Sequence, residues 1–143
     1  MDIRQITPRY SVSPQIAPED LAAIVAAGFT RVICNRPDGE VPATLQSSEL
    51  SRAAAAAGIE FFILPLTHQT MDSGNIARQR AFIDGTDGPV LAYCASGTRC
   101  AVIWALSQAG NMPSDAILGA TSAAGYALDQ LRPLLDKLAQ DNG

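Results

Sequence analysis

Gly88-Pro89-Val90-Leu91-Ala92-Tyr93-Cys94-Ala95-Ser96-Gly97-Thr98-Arg99 is the stretch whose reading decides the fold. Residues 89–93 form a short, continuous apolar run after the turn signal Asp87-Gly88, and they read as a strand covered on both faces. The chain then turns through Gly97 into a helix expected over residues 99–109 and ended by Gly110. A buried strand that feeds a helix is the repeating unit of a parallel α/β sheet.

The same unit recurs upstream. Pro18-Glu19-Asp20 opens a helix with proline and two acids in the first turn, where the helix dipole favours negative charge. Leu21, Ile24 and Val25 give it an apolar stripe, Gly28 stands at its C-terminal end, and residues 29–34 read as the next strand. Residues 48–57 are helical up to Gly58, residues 59–64 form a strand, and a third helix covers residues 73–83. Residues 9–13 (Arg-Tyr-Ser-Val-Ser) read as an added edge strand. Beyond Gly110, helices are expected over residues 113–120 and 124–139, with Pro133 inside or dividing the last. The expected architecture is α/β, a central, mainly parallel sheet of about four strands flanked by helices, in a single domain over residues 1–143.

Composition narrows the function classes. The hydrophobic content is 48%, the charged content 17% and the formal net charge −4, which describes a soluble globular chain without a basic footprint for nucleic acid or an anionic membrane. The segment Met1-Asp2-Ile3-Arg4-Gln5 lacks the basic-then-apolar order of a signal peptide, and no apolar run reaches the ~18 residues of a membrane span. Cys34, Cys94 and Cys100 are an odd set without metal-ligand spacing, so a reducing, cytoplasmic setting without metal or cofactor is expected. The partner is then a small molecule or another protein.

The chemistry concentrates after the strand 89–93. In open α/β sheets, sites lie beyond the carboxyl ends of the strands, where Cys94 stands. Gly97 lets the backbone N–H groups of Ala95, Ser96, Gly97 and Thr98 turn inward as an anion nest. The following helix adds positive potential, and Arg99 adds a planar, permanently charged fork. These features lower a thiol's pKa, and the thiolate is the form that attacks. Cys34 lacks such surroundings and reads as core. Cys100 reads first as a small packing residue, with a second role open to it as the partner of an oxidised Cys94.

Tyr10-Ser11-Val12-Ser13-Pro14-Gln15-Ile16, Asn35-Arg36-Pro37-Asp38-Gly39-Glu40, the stretch from Gly88 to Arg99, and Ala124-Gly125-Tyr126 occur in that order. Together they resemble the bacterial phosphatase-like family that occurs alone or fused to beta-lactamase-like hydrolases of the persulfide dioxygenase type, a family also labelled a sulfur transferase family. The resemblance covers nearly the whole chain. It implies the fold of dual-specificity protein tyrosine phosphatases, with Cys94 as nucleophile and Arg99 as the oxyanion-binding residue.

Two features depart from typical tyrosine phosphatases. Tyr93 stands where they have histidine, and four residues rather than five separate Cys94 from Arg99. The shorter loop resembles that of rhodanese-type sulfurtransferases, which hold a persulfide. A phosphatase also needs an acid for its leaving group. Asp72 and His68 in the loop after residues 59–64, and Asp38, are the candidates, with plain alternatives for Asp72 as a helix N-cap and Asp38 as a turn residue. His68, the only histidine, reads as an exposed loop residue. The leading expectation is a phosphatase-like hydrolase acting through phosphocysteine on a small phosphorylated substrate or a phosphoprotein. A sulfurtransferase taking sulfane sulfur onto Cys94 comes second, followed by a non-catalytic anion-binding module and a Cys94/Cys100 redox device. Leu128, Leu131, Leu134, Leu135 and Leu138 form a stripe that packs the last helix and could also serve a homodimer.

Overall fold

The stretch 90–93 is the middle strand of the sheet. In the computed structural model, which describes residues 1–142, this strand is β5 (Val90–Tyr93), and all four of its residues are buried. It lies between β2 (Tyr10–Ser13) and β3 (Arg31–Cys34), parallel to both. β4 (Glu60–Ile63) continues the sheet in parallel beyond β3, and β1 (Arg4–Thr7) closes the other edge antiparallel to β2. The order is β1-β2-β5-β3-β4. A mixed sheet with helices on both faces is therefore the architecture, with five strands rather than about four.

Side chains of successive β5 residues alternate between two core layers. Leu91 and Tyr93 join Ile16, Val32 and Cys34 under α1 (Leu21–Ala26) and α2 (Ser47–Ala57). Val90 and Ala92 face the other layer, with Tyr10, Val12 and Ile33. That layer receives α3 (Ser73–Asp84), α4 (Thr98–Gln108), α5 (Ser114–Ala123) and α6 (Arg132–Asn142). From Cys100 to Gln108, every residue of α4 is buried. This central helix follows the Cys94 loop, so the loop is clamped at both ends by core.

Two expectations are corrected. Residues 9–13 do not form the edge: β2 is interior, and Arg4–Thr7, unrecognised in the sequence, takes the rim. Tyr-Ser-Val-Ser alternates as a half-exposed strand would, yet Ser11 and Ser13 are buried along with Tyr10 and Val12. Only Ile6 of β1 is buried, so its pattern carried no strand signal. The last helix starts at Arg132 rather than near residue 124, because Gly125 at φ +99° stops the chain after α5. Pro133 then occupies the first turn of α6, where its missing N–H costs nothing. Of the leucine stripe, Leu128 and Leu135 are buried, Leu131 and Leu138 half-buried, and Leu134 exposed. Among the described residues, no helix is long and apolar enough to cross a membrane.

Candidate active site

The Cys94 loop is built by β5 on one side and α4 on the other. Gly97 caps α4 at φ +92°, a conformation only glycine adopts without strain. Its N–H donates to Cys94 Sγ at 3.1 Å, folding the loop back over the sulfur. Thr98 N–H donates to Ser96 Oγ at 3.3 Å, and the Ser96 and Thr98 hydroxyls lie 2.9 Å apart. Tyr126 Oη donates to the Ser96 carbonyl at 2.9 Å and holds that carbonyl on the far side of the turn. A Cβ at position 97 would run into the Tyr126 hydroxyl. Gly97→Ala is therefore expected to combine backbone strain of about 1–3 kcal/mol with loss of the tyrosine brace. A urea titration reads this as a lowered midpoint at unchanged m-value.

The thiol of Cys94 is only 1% exposed. Burial alone would raise its pKa, but hydrogen bonding overrides burial. The Cys100 thiol is the largest influence, and the N–H groups of Cys100, Ser96 and Gly97 add to it, holding Cys94 down to about 5. The converse holds for Cys100, which burial, together with that same hydrogen bond, pushes well above the usual thiol range. Within this pair, Cys94 is the thiolate and Cys100 the donor. Cys34 is raised, mainly by burial, and stays protonated. Alkylation of Cys94 by iodoacetamide should rise about tenfold per pH unit up to about 5 and then level off, whereas an ordinary thiol keeps gaining through pH 8. A plateau first reached above pH 7 would contradict this environment. The Cys94→Ser protein supplies the background from the other two cysteines.

Arg99 is fixed by contacts on two sides. Its terminal nitrogens meet Glu40 Oε2 at 2.9 Å and Oε1 at 2.7 Å, a bidentate pair, and Nη1 also donates to the Leu66 carbonyl at 2.9 Å. Hydrogen bonding from Arg99, and secondarily from Arg36, holds the Glu40 carboxyl below its ordinary range. Leu66 is held in turn from the buried Asn35, whose carbonyl accepts from Leu66 N–H at 2.9 Å. Asn35 and Gln79 exchange amide hydrogen bonds at 2.9 Å, and Asn35 Nδ2 also donates to the Leu64 carbonyl. Gln79 Nε2 donates to Tyr10 Oη, which donates to the Cys100 carbonyl at 2.8 Å. This buried network ties β2, the ends of β3 and β4, α3 and the first turn of α4 to one geometry.

Above the loop is a cavity of about 310 Å³ lined by Glu40, Thr67, His68, Gln69, Ser96, Thr98 and Arg99. Ala95 and Ser96 are exposed, Gly97 is buried, and Thr98 and Arg99 are half-buried. The two candidate carboxylates are engaged elsewhere. Asp72 caps α3, its Oδ1 accepting from Asn75 N–H at 2.9 Å, and it lines a neighbouring groove. Asp38 accepts from Ser47 N–H at 2.7 Å and Ser47 Oγ at 3.0 Å, pinning the start of α2. Sequence reasoning passed over Glu40 and Tyr126 as site residues, although both stand in the quoted segments. Glu40 sits two positions from Asp38 in a turn that brings it to Arg99, 59 residues away. His68, expected as a bland loop residue, is exposed but lines the cavity.

A mainly parallel sheet whose central strand ends in a Cys–Arg loop at a helix N-terminus, under a cavity of about 310 Å³, is the architecture of the tyrosine phosphatase fold class. The family model for the phosphatase-like domain of beta-lactamase hydrolase-like proteins matches residues 2–111, and the chain belongs to that family. A beta-lactamase hydrolase-like protein of Xylella fastidiosa (strain 9a5c) is 29% identical over 141 residues, covering 97% of this chain and 33% of the relative. One from Agrobacterium fabrum is 30% identical over 105 residues, covering 73% and 24%. The chain thus spans a third or less of these curated relatives. Among solved structures, a protein from Neisseria meningitidis Z2491 described as a candidate phosphatase superposes with a TM-score of 0.83 at 32% identity, covering 96% of this chain and 99% of that one. PTPMT1, at 14% identity and a TM-score of 0.78 over 98% of this chain and 95% of its own, shares the fold. The chain therefore carries a phosphatase-like domain.

Proposed function

We propose that this protein is a cysteine-dependent phosphatase-like hydrolase. The observation that carries the reading is a buried thiol held near pKa 5 beside a half-buried arginine, in one six-residue loop beneath a cavity of about 310 Å³. The Cys94 thiolate attacks phosphorus, forming the S–P bond as the P–O bond to the leaving group breaks. Arg99 and the loop amides of Ala95, Ser96, Gly97 and Thr98 stabilise the equatorial oxygens. Water then cleaves the phosphocysteine, releasing inorganic phosphate and restoring the thiolate. His68, which lines the cavity, is better placed than Asp38 or Asp72 to protonate the leaving oxygen. A reducing, cytoplasmic setting suits a free, low-pKa Cys94.

One observation favours a second reading, a rhodanese-like sulfurtransferase carrying a persulfide on Cys94. Both candidate carboxylates hold helix N-termini, leaving only the imidazole of His68 at the cavity, whereas sulfur transfer to a thiolate or cyanide needs no leaving-group acid. A paired assay separates the two: aryl-phosphate hydrolysis against thiosulfate:cyanide sulfur transfer, each on the wild type and on Cys94→Ser. Cys94-dependent phosphate release is the expected result. Cys94-dependent thiocyanate formation without phosphate release, with a sulfur adduct on Cys94 by mass spectrometry, overturns the phosphatase reading.

A further inference from the structure

The cavity over the loop adjoins a groove of about 380 Å³, with which it shares His68, Gln69 and Thr98 as lining residues. Beyond those residues the groove is mainly apolar, lined by Met71, Val102, Leu106, Leu128, Leu131 and Leu134. Val102, Leu106 and Leu128 are buried, whereas Leu134 is 43% exposed on a helix whose next residue, Leu135, is fully buried. The volume lies in the range of small-molecule sites, which are mostly apolar with a few polar groups that fix orientation. By contrast, the cavity of about 450 Å³ between α3 and α4, near Arg80 and Asn111, includes no residue of the Cys94 loop.

We infer that the groove seats an apolar arm of the substrate while its anionic head lies in the Cys94 loop. The substrate class is then a water-soluble anionic monoester with a short alkyl or aryl arm. This rests on the reading of the loop as an anion site given under Proposed function. Charge fixes the direction: Arg99 lines the head cavity, whereas Asp72 lines the groove and repels a second anion. The same acid, in a chain of net charge −4, disfavours an anionic bilayer or an acidic peptide as occupant. Burial of the arm against aliphatic side chains supplies affinity in proportion to its length.

The test uses ethyl, butyl, hexyl and octyl phosphate as monomers, measured by calorimetric binding to Cys94→Ser and by hydrolysis with the wild type. A fully buried methylene is worth about fourfold, and an open groove realises part of this, so affinity should rise roughly twofold per methylene until the groove is full. Leu134→Gln and Met71→Gln should flatten the series. Ile63→Gln, at a comparably exposed apolar residue outside the groove, should not. Equal affinity for ethyl and octyl phosphate overturns the inference, as does a slope that survives Leu134→Gln or is lost in Ile63→Gln. Binding confined to vesicles of phosphatidic acid in phosphatidylcholine overturns the soluble substrate class. Chain-length-dependent binding without hydrolysis overturns the phosphoester chemistry and sustains the groove. Hydrolysis of ethyl phosphate with a flat series does the reverse.

Discussion

Replacing Cys94 with serine is expected to lower kcat/KM for an aryl phosphate by about 10⁴-fold or more while leaving phosphate binding within a few-fold. The asymmetry follows from what the loop does. Its N–H groups and the Cys100 thiol stabilise a sulfur anion with pKa about 5, so the attacking species is present before substrate arrives. A serine hydroxyl is far too weak an acid to be ionised by the same hydrogen bonds. No imidazole lies among the hydrogen-bond partners of Cys94 to take its proton. The proposed anion nest rests on backbone geometry set by Gly97 and Tyr126, and a serine oxygen can accept the Gly97 N–H bond that Cys94 Sγ now accepts. Steady-state kinetics with a parallel phosphate titration checks both halves. Wild-type turnover in Cys94→Ser would remove Cys94 from the chemistry altogether.

Arg99→Ala is the second large effect, expected at about 10³-fold in kcat/KM. Two losses combine. The planar cation that would meet the oxyanions disappears, and Glu40, now paired only with Arg36, presents negative charge to the same cavity. Arg99→Lys keeps the charge but cannot reproduce the bidentate bonds to Glu40 together with the bond to the Leu66 carbonyl, so roughly 10²-fold is expected. Glu40→Gln should cost least, about tenfold, because Arg99 keeps its carbonyl anchor while losing its orienting carboxylate. The ranking Ala, Lys, then Glu40→Gln is the informative result. If Glu40→Gln raised activity instead, the pair would be restraining Arg99 rather than orienting it.

Legibility in the sequence followed how local each signal was. The strand–loop–helix around Cys94 was readable because apolar run, glycine and arginine lie within a dozen residues. The helices ending at Gly28 and Gly58 were readable for the same reason, both glycines adopting positive φ. β1 was not, because only Ile6 of its four residues is buried and its partner β2 supplies the reason for it to be extended. β2, expected at the edge, is interior, and its alternating serines are buried because the strand lies between β1 and β5. Asp38 drew attention as a possible acid, but its carboxylate meets Ser47, and Glu40 two residues later meets Arg99. Nothing in the spacing of that turn says which of its two acids faces the loop.

The sequence by itself determined the α/β class, the position of the nucleophile candidate and the strand–loop–helix that carries residues 94–99, because these depend on contacts within one strand, one turn and one helix start. Only the tertiary structure decided what surrounds that loop. It placed Cys100 as the donor to Cys94, Glu40 and the Leu66 carbonyl as the anchors of Arg99, and Tyr126 as the brace of the turn. It also placed the apolar groove next to the cavity over the Cys94 loop. Apart from Cys100, these are contacts between residues 30 or more positions apart, and they exist only once β3, β4, α4 and the segment after α5 have packed around β5.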